Sequence, residues 1–177
     1  LVGSEMCIRD RAQRIQQSPE CLNGIVDIYP ALNPMGIDSV TRGIPAFDLD
    51  MNRIFPGSKS GSAFEEIASD IVESLTGADL VLDIHASSIF LREVLQGRIM
   101  HECEERLMPL ARRLNLEFIW SYPAATVMKA TLSHTLNSLG TPCIVVEMDV
   151  GMRINRRMGD RLVDGILALL VDLGIWK

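Results

Sequence analysis

The chain has 177 residues, enough for one domain with a sizeable core. Hydrophobic residues make up 47% and charged residues 23%, a balance that excludes a disordered chain. The net charge of −6 argues against nucleic acid as a partner, and no apolar run approaches the ~18 residues of a membrane span.

The N-terminal segment differs from the rest of the chain. Residues 1–11, LVGSEMCIRDR, have no starting Met and lack the cationic and apolar regions of a signal peptide. They are similar to the translated adaptor sequence found at the ends of assembled metagenomic fragments. We therefore expect residues 1–11 to be non-native and residues 12–177 to form the fold.

The four cysteines are scattered, at positions 7, 21, 103 and 143, and none forms a C-x-x-C pair. A structural zinc site of that kind is therefore not predicted. Scattered cysteines with apolar neighbours are typical of reduced thiols, which predicts a cytoplasmic protein. A disulfide framework is the less favoured alternative.

The first third of the chain predicts one strand and one long loop. Residues 12–17 are expected to end a helix. The stretch GIVDIYPAL, residues 24–32, is rich in residues that favour strands, and Asn33-Pro34 ends it. A loop then extends to about Ser62. Loops of this length inside a compact domain are usually functional or disordered.

Apolar residues at helical spacing predict a helix that begins after Ser62 and ends at Gly77. Ser62, with Glu65 three residues later, has the pattern of a capping box. The apolar run ADLVLDIH follows, as expected of a buried strand, and His85 stands at its carboxyl end.

The second half of the chain continues the alternation of helices and strands. The predicted elements are a helix at 102–114, a strand at 117–122, a helix at 132–139, a strand at 142–149 and a helix at 155–173. This alternation predicts an α/β domain with a mostly parallel mixed sheet flanked by helices. Ligands bind at the carboxyl ends of the strands in such sheets, and His85 and Glu147 both stand there.

His85 is a candidate metal ligand. Asp83, two residues earlier on the same strand, faces the same way and would orient the imidazole as a metal-ligating histidine requires. Catalytic zinc sites use three protein ligands, so one histidine alone favours the plainer interpretation of a histidine at a strand end.

Glu147 ends an apolar strand, where a carboxylate is costly to bury unless it is paired or functional. At the carboxyl end of a strand it suits the general base of a hydrolase that activates water. An edge-strand glutamate, or an ion pair with Arg153, Arg156 or Arg157, explains it equally well.

The stretch DLDMNRIFPG places Asn52 and Arg53 side by side before a Pro-Gly turn, with Arg42 upstream. An arginine can bind a carboxylate through two N–H groups, and an asparagine adds a further donor. This loop is therefore a candidate site for binding a carboxylate. A solvated loop is the alternative, and these residues taken alone favour it.

Three other features are interpreted as structural. The stretch HECEE, residues 101–105, matches the acidic beginning of a helix. His134 fits a helix surface or the edge of a core. Cys143 has no histidine or other base near it in the sequence, which argues against a cysteine nucleophile.

Four motifs in this order, NPMGIDSVTRG, DLDMNRIFPG, DIHAS and VVEMDVG, resemble the succinylglutamate desuccinylase/aspartoacylase family. The family consists of zinc hydrolases with a carboxypeptidase-like α/β fold. The resemblance covers most of residues 24–177. It implies a zinc enzyme that cleaves the amide bond of a small N-acyl amino acid.

The resemblance also implies residue roles. His85 matches the third zinc ligand, and Glu147 matches the glutamate that activates water. Asn52 and Arg53 match the pair that binds the substrate's carboxylate, and Arg42 resembles the arginine that polarises the scissile carbonyl. The alternatives are a zinc carboxypeptidase acting on peptides and a non-catalytic module that binds an anion through Arg42 and Arg53.

Two parts of the family pattern have no counterpart here. The first two zinc ligands come from a His-x-x-Glu motif shortly after the first strand, which we expect upstream of Ala12. A smaller β-rich domain is expected after Lys177. The sequence therefore predicts an incomplete catalytic domain, truncated at both ends, that by itself binds little zinc and hydrolyses nothing.

Overall fold

The computed structural model describes residues 17–123, 126–151 and 153–177. The segment 1–11 and nearly all of the helix end expected at 12–17 lie outside the described residues. None of the helices within the described residues is long and apolar enough to cross a membrane.

Helices and strands alternate along the chain. The helices are α1 (Pro34–Ser39), α2 (Ala63–Leu75), α3 (Glu104–Ala111), α4 (Leu132–Ser138) and α5 (Arg156–Asp172), and the strands are β1 (Val81–Ala86), β2 (Glu93–Met100), β3 (Phe118–Tyr122) and β4 (Cys143–Asp149). Short 3-10 helices lie at Pro19–Cys21, Met51–Arg53, His101–Cys103 and Thr126–Ala130. Strands β1, β3 and β4 and helices α2 to α5 confirm elements predicted from the sequence.

The four strands form one mixed sheet in the order β1-β4-β2-β3. β1 runs parallel to β4 and β2 runs parallel to β3, whereas β2 and β4 are antiparallel. Parallel neighbours need a crossover connection, which α3 supplies between β2 and β3. The predicted α/β architecture, a mixed sheet flanked by helices, is therefore confirmed.

Side chains alternate between the two faces of each strand, and one face of this sheet is apolar. It packs against α3 and α5 in the main core cluster. The fully buried members of that cluster include Leu95, Ile99, Leu107, Ile144, Val146, Met148 and Leu162. Burial of apolar surface is the dominant favourable term in folding, so this face of the sheet forms the main hydrophobic core of the domain.

The opposite face combines a second core with a polar area. At the beginning of β1 and β4, Val81 and Cys143 pack with Ala68 of α2 and Leu136 of α4. Toward the carboxyl ends of the same strands, the side chains on this face become polar. The two helices therefore bury one half of the face, and the candidate site lies on the other half.

Helix α2 begins as its sequence predicts. The Glu65 N–H donates to Ser62 Oγ and the Ser62 N–H donates to Glu65 Oε2 at 2.7 Å, which completes the capping box. The N–H and the hydroxyl of Ser62 both donate to Glu65 Oε2, and these two hydrogen bonds lower the pKa of the Glu65 carboxyl. The Ser58 N–H donates to the Glu65 carbonyl, which holds the preceding loop against the helix. Gly77 follows the helix with a φ of +89°, as a C-terminal glycine should.

The predicted strand at residues 24–32 is wrong. In the described part of the chain this segment pairs with no strand, and its neighbour Leu22 forms only a single bridge with Trp176. Ile25 is 84% exposed. Strand propensity reflects how a side chain fits a half-buried pleated surface, so a β-rich segment without a neighbouring strand does not become one.

The predicted loop between Asn33 and Ser62 contains two short helical segments. Asn33 Oδ1 accepts from the Gly36 N–H at 3.0 Å and caps α1. The Asp50 carboxylate accepts from the Asn52 N–H at 2.9 Å and caps the 3-10 helix Met51–Arg53. These caps give the loop a defined backbone beside the site.

Sequence patterns did not predict β2, which lies between β4 and β3 in the middle of the sheet. Glu93, Gln96 and Arg98 interrupt its apolar residues, so the strand lacks the continuous apolar run of a buried strand. Its polar side chains instead belong to the polar face of the sheet.

Candidate active site

His85 and Glu147 lie side by side at the carboxyl ends of the parallel strands β1 and β4. They are directly paired in the strand register, and Gln96 of β2 is paired with Glu147 from the other side. Paired residues of neighbouring strands point to the same face, so the two side chains project into one region. The sequence predicted both strand ends, but only the strand order makes them neighbours.

Asp83 approaches the imidazole of His85 from within the same strand. His85 Nε2 and Asp83 Oδ1 are 2.9 Å apart, but the ring is not aligned for a hydrogen bond, so the contact is an ion pair. Burial alone would lower the pKa of His85, but the negative charge and close contact of Asp83 outweigh it and raise this pKa to about 9. The contact agrees with the predicted support of His85 by Asp83.

Glu147 is largely buried, with 14% of its side chain exposed. Its Oε1 is 3.2 Å from an Nη atom of Arg98, so its ion pair is with Arg98 and not with the alternatives Arg153, Arg156 and Arg157. Its Oε2 is buried and has no hydrogen-bond partner among the described residues. Burial raises the pKa of Glu147, although the positive charges of His85 and Arg98 act to lower it. A carboxylate with a raised pKa and a free oxygen suits a general base.

Two charged residues of this area, Glu93 and Arg98 of β2, were not indicated by the sequence patterns. Arg98 is 2.7 Å from Glu93 Oε2, and its guanidinium lies 5.7 Å from the centre of the Trp120 ring. One signal was available: Gln96 and Arg98 are two residues apart, and such residues share a face if the segment is a strand. Using that signal required β2 to be recognised first.

Arg42 lies in a cleft of about 720 Å³ along β1, which Asp83 and His85 also line. Two nitrogens of Arg42 are 3.0 and 2.9 Å from Asp50 Oδ2, so an ion pair holds its guanidinium. The charge of Arg42 also opposes protonation of His85. The cleft does not include Glu147. Arg42 therefore approaches His85 from the cleft along β1.

Asn52 and Arg53 are placed differently from each other. Asn52 lines the cleft, and its Oδ1 accepts from the Leu132 N–H at 2.9 Å, at the beginning of α4. Arg53 is exposed and does not line the cleft, and its Nη1 donates to the Asn52 carbonyl at 2.6 Å. Asn52 therefore joins the loop to α4 through its oxygen, and its amide nitrogen makes no hydrogen bond with the described residues.

The other two histidines lie away from this area. His101 contacts Glu104 and Ser121, and Ser121 belongs to the apolar face of the sheet. His134 of α4 is 3.5 Å from Ser138 Oγ. Neither histidine lines the cleft. The structural interpretation of residues 101–105 is confirmed, since α3 begins at Glu104.

The described cysteines are all free. Cys143 is buried, and burial, together with the charge of Asp83, raises its pKa well above the ordinary value. Such a thiol is not a nucleophile, as the sequence indicated. Cys21 and Cys103 are also unpaired, in agreement with the prediction of reduced cysteines.

The side chains around His85 offer some, but not all, of the ligands that a zinc site needs. Asp83 Oδ2 and Glu147 Oε2 are buried atoms without hydrogen-bond partners in the described part of the chain. His85 Nε2 lies against Asp83 Oδ1, which leaves Nδ1 of the ring for a metal ion. No three His, Cys, Asp or Glu side chains among the described residues are grouped so that they could hold a metal ion together. A zinc ion at His85 would therefore need further ligands.

The sheet, its flanking helices and the pair at its carboxyl edge define a zinc carboxypeptidase-like α/β fold. The model of the succinylglutamate desuccinylase/aspartoacylase catalytic domain matches residues 6–173. The chain belongs to this family, which confirms the resemblance read from the four motifs. The comparison with curated proteins gave no match.

Several solved structures share the fold. The succinylglutamate desuccinylase/aspartoacylase from Rhodobacter sphaeroides is 23% identical, with a TM-score of 0.85 over 98% of this chain and 52% of that one. The product-bound ectoine utilization protein EutE (DoeB) from Ruegeria pomeroyi is 20% identical, with a TM-score of 0.85 over 99% and 55%. An aspartoacylase family protein from Mesorhizobium loti is 21% identical, with a TM-score of 0.76 over 100% and 55%. The chain spans about half the length of these structures.

Proposed function

We propose that this chain forms the central catalytic part of a zinc-dependent hydrolase that cleaves the amide bond of an N-acyl amino acid. The pairing of His85 with Glu147 at the carboxyl ends of neighbouring parallel strands, in a member of this family, supports the proposal. The product-bound EutE structure supports a small-molecule substrate. We place the protein in the cytoplasm, without a nucleic-acid or membrane partner.

The proposal includes further protein on both sides of residues 12–177. The chain spans about half the length of the similar structures. The resemblance to the family implies one zinc ligand within this chain, His85. We propose that the other two ligands lie upstream of Ala12, in a His-x-x-Glu motif, and that a second, smaller domain follows Lys177. We propose that the segment 1–11 is non-native sequence in place of the first ligands, although the match to the family model begins at residue 6.

His85 would hold the zinc ion through Nδ1, because its other ring nitrogen, Nε2, lies against Asp83 Oδ1. When bound, zinc would act as a Lewis acid that polarises the scissile carbonyl and makes water more acidic. Asp83 keeps the imidazole in one orientation, as carboxylates beside ligating histidines do.

Glu147 moves the proton in this scheme. Its free Oε2 takes a proton from the water whose oxygen attacks the carbonyl carbon. When the carbon–nitrogen bond breaks, the same carboxyl group gives that proton to the leaving amine. A carboxyl group whose pKa is raised by burial exchanges protons more readily near neutral pH than an ordinary glutamate.

Arg53, Asn52 and Arg42 would bind the substrate. Arg53 is exposed, so its guanidinium can reach a carboxylate of the incoming amino acid. Asn52 lines the cleft, and its amide nitrogen is available to donate to the same carboxylate. Arg42, which the ion pair with Asp50 holds near His85, would lie against the carbonyl oxygen. Holding both ends of the substrate orients the amide for attack.

Replacing Asn52 with Asp should separate the structural role of this side chain from its binding role. Asp keeps an acceptor for the Leu132 N–H, so the free energy of unfolding should change little, whereas Asn52→Ala should lose about 0.5–2 kcal/mol, as other lost caps do. Urea unfolding measures both. The Asp variant should also raise KM for an N-acyl amino acid, because two carboxylates repel. Equal destabilisation by Asp and Ala would show that the oxygen does not hold α4.

The proposal is tested by zinc content and hydrolysis of the complete protein. We expect stoichiometric zinc and release of amine from N-acyl amino acids but not from short peptides. Asp83 and His85 variants should lose zinc. Residues 1–177 alone should hold little zinc and release no amine. Peptide cleavage would instead favour a carboxypeptidase, and a zinc-free complete protein that binds carboxylates would favour the anion-binding module.

A further inference from the structure

We infer that Arg98 is a positioning residue that holds one oxygen of Glu147, so that the other oxygen faces the reacting water. The inference rests on the proposed role of Glu147. It assigns a function to a residue of β2 that the sequence motifs did not single out.

Arg98 reaches Glu147 diagonally across the antiparallel pair β2 and β4. Arg98 itself is paired with Val145 in the register, and Glu147 is two residues further along β4. Diagonal neighbours of this kind are within reach of long side chains. One Nη atom of Arg98 lies 3.2 Å from Glu147 Oε1. Arg98 therefore contacts a single, identified oxygen of the carboxylate.

Other contacts hold the Arg98 guanidinium in place. Its second Nη atom is 2.7 Å from Glu93 Oε2. Glu93 in turn accepts from Gln96 at 2.5 Å and from Ser87 Oγ at 3.1 Å. The Trp120 ring lies 5.7 Å from the guanidinium carbon and adds a cation–π contact. A guanidinium held by these partners is a stable support for the carboxylate.

The two oxygens of Glu147 consequently differ. Oε1 is paired with Arg98, while Oε2 is buried and has no hydrogen-bond partner among the described residues. A buried acceptor without a partner costs free energy, so it is expected where a ligand or water completes the site. The arrangement leaves one lone-pair direction of the carboxylate available for the proton of a bound water.

Direct substrate binding by Arg98 is the competing role. Arg98 is 24% exposed at the side chain, and both of its Nη atoms already face a carboxylate. Its Nε atom is buried without a partner in the described residues, so it does not point into open solvent. These contacts favour support of Glu147 over capture of a substrate carboxylate, and the two roles differ in whether kcat or KM changes.

The test uses Arg98→Met and Arg98→Lys in the complete protein. Arg98→Met should lower kcat about 10- to 100-fold, the usual effect of a misplaced catalytic group, while KM stays within about threefold. Arg98→Lys keeps the charge and should recover most of the lost turnover. Arg113→Met, which removes an exposed arginine paired with Asp172, should leave both constants unchanged. A rise in KM with unchanged kcat would mean that Arg98 binds substrate.

A double variant separates positioning from simple stability. Arg98→Met leaves Glu93 and Glu147 together without their cation, so its melting temperature should fall. Glu93→Gln combined with Arg98→Met removes one of the two negative charges and should recover most of the melting temperature, yet kcat should stay low. Recovery of kcat together with stability would overturn the inference.

Crystal structures of the wild type and the double variant provide a readout that is independent of activity. Glu147 Oε1 should leave its wild-type position in the double variant. If the wild type hydrolyses no N-acyl amino acid, the proposed function fails, and the position of Glu147 still decides the inference about Arg98. An unchanged Glu147 would refute that inference even in an active enzyme.

Discussion

Replacing Glu147 with Gln should remove most turnover of the complete protein while zinc stays bound. Gln has nearly the same shape but cannot take a proton from water, and general-base catalysis contributes about 10²–10⁴-fold. The buried position of Glu147 and its free Oε2 motivate the expectation. The measurements are kcat for an N-acyl amino acid and the zinc content of the same sample.

Glu117→Gln is a suitable control for this experiment. Glu117 is a partly exposed glutamate of the same sheet region, paired with Arg161 at 2.8 Å, and it lies outside the candidate site. Its replacement should leave turnover unchanged. If the Glu147 variant kept its activity within a few-fold of the wild type, Glu147 would not be the base, and the carboxylates of Asp83 and Glu93 would be the next candidates.

Replacing Arg53 with Ala should weaken binding of substrates that have a free carboxylate. A hydrogen bond to a charged group contributes about 1.5–3 kcal/mol, which corresponds to about 10- to 150-fold in KM. The side chain is exposed, and its Nη1 donates to the Asn52 carbonyl, so the guanidinium already lies against the loop. Loss of this one bond to a backbone oxygen at the surface should change stability little.

The informative comparison is an N-acyl amino acid against its methyl ester. The ester lacks the negative charge, so its KM should change little in the Arg53→Ala variant, whereas KM for the acid should rise. Arg113→Ala removes a second exposed arginine and serves as the control. Equal losses for acid and ester would show that Arg53 does not recognise the carboxylate.

The sequence alone determined the elements whose signals are local. Ser62 and Glu65 predicted the beginning of α2 because a capping box involves only neighbouring residues. The apolar runs that end in His85 and Glu147 predicted two buried strands, and the motifs around them identified the family. These inferences succeeded because each depends on a few consecutive residues and on well-known periodicities.

The tertiary structure decided what depends on residues distant in the chain. The segment 24–32 has strand propensity but no neighbouring strand, and β2 is a central strand although polar residues interrupt its sequence. Strand pairing depends on which surfaces are buried together. The sequence of one segment does not specify which strands will lie beside it.

The site follows the same rule. Sequence identified His85 and Glu147 separately, and the order β1-β4-β2-β3 makes them neighbours. The same order brings Arg98 to Glu147, where sequence suggested only nearby arginines as partners. An ion pair forms where burial excludes water and opposite charges meet, so its partners are determined by the packing of the sheet and not by their separation along the chain.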